Sequence, residues 1–283
     1  MPQFPREPKA RRREFLMGAA AAPVAAGSMA QAQAQSKRKK TFLAVEGHMD
    51  DAEIGAGAVL IQAARAGHRV VIINIVSDLS SWEATIGREQ KTRDQLVGLA
   101  KQFGFEKRFL DYPYHQIHGG DLELKKKLAE IYVEVKPDVA FLPHYEDHWP
   151  DHVAAGVAAK DAFLFSHGLS RNKSVRRCPL IYAFDVSPSQ TYHFEADVYY
   201  DITDVMPAYL DLIARIDAIR AGQSMKEAIQ HEFRVLKTGQ VLPLSGHGLT
   251  RLADCVRFGS RAECPFALGF RTVWGRRRGE DLT

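Results

Sequence analysis

The chain has 283 residues, of which 46% are hydrophobic and 25% charged, and this composition is typical of a globular protein with ample apolar content for a core. The formal net charge at pH 7 is +4, and residues 1–36 carry +3 of it, so the rest of the chain is close to neutral and gives no support to nucleic-acid binding. The three cysteines, Cys178, Cys255 and Cys264, are too few and too scattered for a disulfide framework or a cysteine metal site. In an oxidising compartment, pairing of Cys255 with Cys264 stays open.

Residues 1–36 have the regions of an export signal. Arg11–Arg13 precede Glu14-Phe15-Leu16, an alanine-rich apolar run extends to about Gly27, and small residues of the Ala-x-Ala type follow. The arginine pair is typical of a twin-arginine (Tat) signal, whereas the apolar run is too short for a stable membrane span. We therefore expect a signal peptide and spacer over 1–36, export through the Tat machinery, and a periplasmic or secreted domain over 37–283. Cleavage after Ala30, Ala32 or Ala34 stays open, and a disordered basic arm is the alternative.

Apolar runs alternate with amphipathic stretches from residue 41 onward. Strands are predicted over residues 41–47, 69–78, 107–112, 138–143, 180–187 and 197–202, and helices over residues 52–67, 85–103, 121–135, 150–165 and 205–222. This alternation is typical of a parallel sheet with helices on both faces. We therefore predict a single α/β domain built on a Rossmann-like, open, mostly parallel sheet.

Two clusters of histidines and carboxylates each follow a predicted strand. His48, Asp50 and Asp51 come directly after the first strand, and the segment HYEDHWPDH, residues 144–152, follows the strand at 138–143. Ligands bind beyond the carboxyl ends of the strands in an open parallel sheet, so the two clusters are expected to meet at one edge.

These residue types predict a catalytic metal site. A catalytic zinc ion takes three protein ligands from His and carboxylates and leaves one position open. His48 and Asp51 can both point at one ion, a nitrogen from the second cluster would complete the set, and Asp50 is then free to act as general base on water.

The same residues also allow other interpretations. Asp50 or Asp51 could cap the following helix, and the histidines of the second cluster could be ordinary surface residues. A dinucleotide fingerprint is excluded because Gly55 and Gly57 fall inside the predicted helix. Two aspartates in the turn would also repel a pyrophosphate.

The stretch EGHMDDAEIGAGAVL resembles the opening motif of the LmbE-like, or PIG-L, N-deacetylase family, whose usual form has His-Pro-Asp-Asp after an apolar strand. The segment Trp149-Pro150-Asp151-His152 resembles the later His-Pro-Asp-His segment of that family, and VYYDITDV at 198–205 resembles the strand before its C-terminal helix. The resemblance spans most of the chain after the leader.

The resemblance implies a role for each matched residue. His48, Asp51 and His152 match the ligands of Zn²⁺ or another divalent transition metal, Asp50 matches the general base, and Asp151 matches an aspartate that supports the neighbouring groups. Met49 replaces the usual proline, which is not a ligand. Trp149 replaces the histidine that would stabilise the oxyanion or assist the leaving amine. His144 or His148 is expected to substitute for it, with His247 as a further candidate.

The implied activity is zinc-dependent removal of the N-acetyl group from a substrate that contains N-acetylglucosamine, giving acetate and a free amine. The expected partner is a small molecule or glycan that carries an N-acetylamino group, and no nucleic acid. Two alternatives stay open at this point: a metal-dependent amidase acting on a non-sugar or larger acyl amide, and a catalytically inactive carbohydrate-binding protein of the same fold.

Overall fold

Nine strands and eight helices make up the part of the chain that the computed structural model describes, which is residues 38–172, 175–186, 191–235 and 239–275. The strands are β1 Thr41–Glu46, β2 Arg69–Asp78, β3 Phe105–Pro113, β4 Val139–Pro143, β5 Leu180–Phe184, β6 Val198–Asp201, β7 His231–Arg234, β8 Val241–Leu244 and β9 Ala267–Trp274. The helices are α1 Asp51–Arg65, α2 Glu89–Gln102, α3 Leu122–Val135, α4 Pro150–Leu164, α5 Ser166–Leu169, α6 Met206–Ala221, α7 Met225–Ala228 and α8 Gly246–Ala262. The predicted signal peptide and the basic run at 276–278 lie outside the described residues.

Seven strands form one sheet in the order β3-β2-β1-β4-β5-β9-β6. The first five are parallel to one another, and β9 is antiparallel to both β5 and β6. The strands β7 and β8 pair separately as an antiparallel hairpin. The prediction of an open, mostly parallel α/β sheet is therefore confirmed, and the antiparallel β9 is the feature that the sequence did not reveal.

Strand β1 shows why helices cover both faces of the sheet. Phe42 and Ala44 belong to the core cluster that includes α1 and α6, whereas Leu43 and Val45 belong to the cluster that includes α3 and α4. All four side chains have no exposed surface. Successive side chains of a strand point to opposite faces, so an unbroken apolar run requires a layer of helices on each side.

Helix α1 lies close to the sheet because its residues are small. A Cβ atom at Gly55 would clash with the ring of Phe184 in β5, so a larger residue at this position would push the helix away. The hydroxyl of Tyr209 in α6 donates a hydrogen bond to the carbonyl oxygen of Ile54. These contacts fix α1 between the sheet and α6, and the first residue of α1 is one of the predicted metal ligands.

The cysteines are all free: Cys178 and Cys255 are buried, and Cys264 is partly exposed. The thiol of Cys264 donates to the carbonyl oxygen of Phe266 at 3.4 Å, and Cys255 and Cys264 are not paired in the structure. The described residues from Lys39 onward belong to one compact unit. Within the described ranges, none of the helices combines the length and the apolar character that crossing a bilayer requires.

Candidate active site

Three predicted ligands converge at the carboxyl edge of the sheet. His48 lies in the loop after β1, Asp51 is the first residue of α1, and His152 lies in the first turn of α4, after β4. One ligand atom from each of the three lies within 4.8 Å of the others. The strands β1 and β4 are neighbours in the sheet, which is why two segments far apart in sequence meet here.

The distances within this group are short. The Nδ1 atom of His48 lies 3.0 Å from Nε2 of His152, and that nitrogen lies 3.2 Å from Oδ1 of Asp51. The other oxygen of Asp51 accepts a hydrogen bond of 2.8 Å from the backbone N–H of His48. This bond orients Asp51 so that its Oδ1 faces the two imidazole rings.

A carboxylate holds the outer nitrogen of each imidazole. Oδ2 of Asp151 lies 3.0 Å from Nε2 of His48, and Oδ1 of Asp147 lies 3.0 Å from Nδ1 of His152. A carboxylate in this place fixes the outer nitrogen as the N–H donor, so the inner nitrogen presents its lone pair. Asp151 lies where the resemblance implies, whereas sequence reasoning gave no role to Asp147.

The arrangement fits a metal ion. Two inward lone pairs only 3.0 Å apart repel each other unless a proton or a cation lies between them. Burial lowers the pKa of His152, but the Asp51 and Asp147 carboxylates outweigh this effect and raise the pKa to about 10. The surroundings therefore favour positive charge, and two imidazole nitrogens with one carboxylate oxygen form a donor set suited to a divalent transition metal.

Asp50 occupies the N-cap position of α1, yet its side chain makes no capping hydrogen bond. It forms an ion pair with Arg220 near the end of α6 instead. The guanidinium carbon of Arg220 lies 5.0 Å from the centre of the Trp82 ring, which fixes its position further. Helix capping therefore does not explain Asp50, and its carboxylate is held beside the three metal-binding candidates.

His247, the second residue of α8, reaches the same cavity with its own carboxylate. Its Nδ1 lies 2.6 Å from Oδ1 of Asp217, and the hydrogen bond to Asp217 raises the pKa of His247 above its ordinary value. Arg220 Nη1 lies 3.8 Å from the same Asp217 oxygen. Asp50, Asp217 and His247 also have metal-ligand spacing, but Arg220 already supplies the positive charge among them.

The three metal-binding candidates, Asp50, Arg220 and His247 line one cavity of about 220 Å³, which we call the reaction chamber. Its lining comprises His48, Asp50, Asp51, Ile54, Trp82, Tyr114, Trp149, His152, Val186, Arg220 and His247. Trp149 presents an aromatic ring 6.0 Å from the ring of His48, at the position where the resemblance implies a histidine. A titratable group is therefore absent at that position of the lining.

The structure does not bring His144 or His148 into the reaction chamber. His144 is buried, with its ring against Phe194 at a centroid distance of 5.4 Å. His148 is exposed, and its Nδ1 lies 3.3 Å from the hydroxyl of Tyr192. Of the three candidates to replace the missing histidine, His247 is the one that lines the chamber.

Lys107 in β3 fastens the loop that carries His48 and Asp50. Its buried ammonium lies 2.8 Å from Glu46 and 2.7 Å from Glu53, and it donates a hydrogen bond of 2.6 Å to the carbonyl oxygen of Met49. Burial lowers the pKa of Lys107, but the two carboxylates outweigh burial and raise it, so the lysine is charged.

Sequence reasoning missed several residues of the site, namely Trp82, Lys107, Tyr114, Asp147, Asp217 and Arg220. Lys107 could have been found from the sequence, because it is a charged residue within the strand FEKRFL. Asp217 and Arg220 lie three residues apart at the end of an amphipathic helix, where charged pairs are common. Only the fold shows that Arg220 lines the chamber and that Asp217 engages His247 beside it.

Residues 43–163 match the family PIG-L, described as GlcNAc-PI de-N-acetylase. The matched region contains all three metal-binding candidates and Asp50. Residues 43–163 are therefore homologous to the PIG-L, or LmbE-like, N-deacetylases, which are hydrolases of amide C–N bonds, and the recognition made from the motifs in this segment is confirmed.

Solved structures share the fold at low sequence identity. N,N'-diacetylchitobiose deacetylase from Pyrococcus horikoshii is 18% identical over 83% of this chain and 84% of that chain, with a TM-score of 0.64. The 4-carboxy-2-hydroxymuconate hydratase GalB from Pseudomonas putida KT2440 is 20% identical over 85% and 99%, with a TM-score of 0.65. Teicoplanin deacetylase Orf2 is 16% identical over 82% and 97%, with a TM-score of 0.57. These matches confirm the fold, which deacetylases share with a hydratase.

Proposed function

We propose that the protein is a zinc-dependent N-deacetylase that releases acetate from a substrate containing N-acetylglucosamine. The observation that carries this proposal is the meeting of His48, Asp51 and His152 beside the Asp50 carboxylate in one chamber. These four residues lie in the region that matches the de-N-acetylase family.

His48, Asp51 and His152 would hold the metal. Two imidazole nitrogens and one carboxylate oxygen are the ligand types of a catalytic zinc site, and Asp151 and Asp147 support the two rings from outside. When bound there, zinc would supply Lewis-acid polarisation of the amide carbonyl.

Asp50 acts as the general base in this proposal. Its carboxylate takes a proton from the water whose oxygen forms the new bond to the carbonyl carbon. The ion pair with Arg220 holds the carboxylate in place. A protein that only bound carbohydrate would not need such a base.

His247 supplies the function that the family assigns to the histidine replaced here by Trp149. Its Nδ1 is engaged by Asp217, so Nε2 is the nitrogen available to a substrate. As an imidazolium it would stabilise the negative charge that develops on the carbonyl oxygen, and it would protonate the amine as the C–N bond breaks. The raised pKa of His247 favours the charged form that this role requires.

We place the mature enzyme in the periplasm or outside the cell, where Tat export would deliver it. The support is the arginine pair at the N-terminus followed by an apolar run and small residues, a pattern typical of exported proteins. Such a location favours a substrate from the cell envelope or an imported glycan.

The proposal is tested on purified protein comprising residues 37–283. Metal content is measured by mass spectrometry, and acetate release is followed with N-acetylated mono- and oligosaccharides. Bound zinc and acetate release are expected. Glucosamine with a longer N-acyl chain and a non-sugar acetamide serve as comparison substrates, and a preference for either would favour the broader amidase. Metal-free protein that releases no acetate from any sugar would overturn the proposal.

A further inference from the structure

A second cavity adjoins the reaction chamber and shares a wall with it. It measures about 320 Å³, and we call it the side compartment. Trp82, Arg220 and His247 line both cavities, so the groups beside the reacting bond also border the side compartment. The reaction chamber alone is smaller than the ~300–1,000 Å³ of usual small-molecule sites, whereas the two cavities together fall within that range.

The side compartment is lined mainly by polar residues and by residues with small side chains. Ala84, Ala221 and Ala228 leave room, while Gln223 and Gln230 supply amide groups. Neither amide makes a hydrogen bond to another described residue, so their donors and acceptors are available to a ligand. An aliphatic tail would find few apolar partners here, because Trp82 is the one large apolar side chain of the lining.

The charged residues that line the side compartment restrict the class of ligand further. The two cationic groups of the lining already have anionic partners, since Arg220 pairs with Asp50 and Asp217, and His247 pairs with Asp217. A phosphate or carboxylate on the ligand would therefore find no free positive charge among the described lining residues. Trp82 borders both cavities, but the Arg220 guanidinium lies over its ring and the Tyr114 ring stacks on it at a centroid distance of 5.9 Å, so the part of the indole that lines the side compartment offers apolar contact to the C–H groups of a sugar ring.

We infer that the side compartment binds an uncharged, polyhydroxylated unit joined to the N-acetylated one, so the substrate is a disaccharide or a longer glycan. The inference rests on the proposed function, because the acetylated unit is taken to occupy the reaction chamber. The indole of Trp82 would contact the second ring, and Gln223 and Gln230 would bind its hydroxyls. One apolar contact and one or two hydrogen bonds correspond to about tenfold tighter binding than that of the monosaccharide.

Ala221→Trp tests this assignment by filling the side compartment. Ala221 is exposed at the end of α6, so a large side chain there does not disturb the core. Ala66→Trp is the matched control, because Ala66 is likewise exposed just beyond the end of α1 and lines neither cavity. Gln230→Ala removes an amide without filling space and is expected to weaken binding of the disaccharide alone.

Two readouts keep this inference separate from the proposed function. Calorimetry on the zinc-loaded Asp50→Asn protein compares the binding of N-acetylglucosamine with that of N,N'-diacetylchitobiose, and acetate release by the unaltered protein compares their kcat/KM. The disaccharide is expected to be favoured about tenfold in both, and Ala221→Trp should abolish the preference while Ala66→Trp preserves it.

The results of these measurements distinguish failure of the inference from failure of the proposed activity. Equal binding of the two sugars, absence of binding, or an unchanged preference in Ala221→Trp would overturn the inference, even if acetate is released. Tighter binding of the disaccharide that Ala221→Trp abolishes would support the side compartment, even if no acetate is released and the proposed activity fails.

Discussion

The ammonium group of Lys107 in β3 donates a hydrogen bond to the carbonyl oxygen of Met49 in the loop after β1, although β2 separates these two strands in the sheet. The same ammonium pairs with Glu46 at the end of β1 and with Glu53 in the first turn of α1. One buried cation therefore ties together both ends of the loop that presents His48 and Asp50.

Replacement of Lys107 by methionine is expected to lower the free energy of unfolding by about 3–5 kcal/mol, because two buried carboxylates lose their partner. Urea denaturation of the metal-free protein measures this change. Lys101→Met, on the exposed end of α2, is the matched control and should leave stability nearly unaltered. Equal stabilities of the two variants would show that the buried ion pairs contribute little.

Asp50→Asn is expected to retain zinc while kcat/KM falls by about 10²–10⁴-fold, because an amide cannot accept the proton of the attacking water. Metal analysis and acetate release are measured on the same preparation. Asp94→Asn, an exposed change on α2, controls for the loss of one negative charge. Normal turnover by Asp50→Asn would mean that another group acts as the base.

His152→Ala is expected to lose the metal and, with it, the activity, because one of two nitrogen ligands disappears. His148→Ala is a close control, since His148 is exposed in the same loop and does not line the chamber. That variant should keep both metal and activity. If His148→Ala loses activity while keeping its metal, the sequence-based expectation for His148 is correct and the proposed role of His247 fails.

The activity should decline on the alkaline side as His247 loses its proton. Asp217 raises the pKa of His247, and the charged groups that face this imidazole are Asp50, Asp217 and Arg220. Since the folded-state pKa is raised, the pairing contributes stability fully below the ordinary value of about 6.5, and this contribution is lost as the pH rises through the folded-state pKa.

Asp217→Asn is therefore expected to move the alkaline limb of kcat/KM to lower pH. A pH profile of acetate release, together with NMR titration of the His247 ring, provides the measurement. If the alkaline limb of kcat/KM lies at the same pH in both proteins, the titration of His247 is not its cause.

Changing Arg12 and Arg13 to lysine is expected to block export, because the Tat machinery requires the arginine pair. Cell fractionation with an activity assay measures the periplasmic share, and mass analysis of the exported protein locates the cleavage site. If this change leaves export unaffected, the precursor is exported by a pathway other than Tat.

The sequence predicted best those elements whose pattern is local. Strands buried on both faces are continuous apolar runs, so β2 was predicted with its observed limits, and β4 was predicted to within one residue. Helix α2 begins at Glu89 rather than at residue 85, because Leu79–Ser81 and Glu83–Thr85 form two short 3-10 turns first. The antiparallel β9 depends on partners far away in sequence, and no local pattern shows such pairing.

The same distinction applies to the site. His48, Asp50 and Asp51 stand together in one turn, so their chemistry can be inferred from spacing alone. The sequence-based prediction of a histidine to replace the one missing at Trp149 favoured nearby residues, whereas the candidate that lines the chamber is His247 from α8. The fold, and not distance along the sequence, determines which histidine lies in the reaction chamber.

The position of β9 bears on how the protein is made. This strand lies between β5 and β6, so the sheet cannot be completed until nearly the whole chain has left the ribosome. Until then β5 exposes an unpaired edge, which is open to wrong association with another strand. If the protein is exported by the Tat route proposed above, its passage through a translocon that accepts folded cargo would follow the end of synthesis, and α8, which carries His247, would be in place before export.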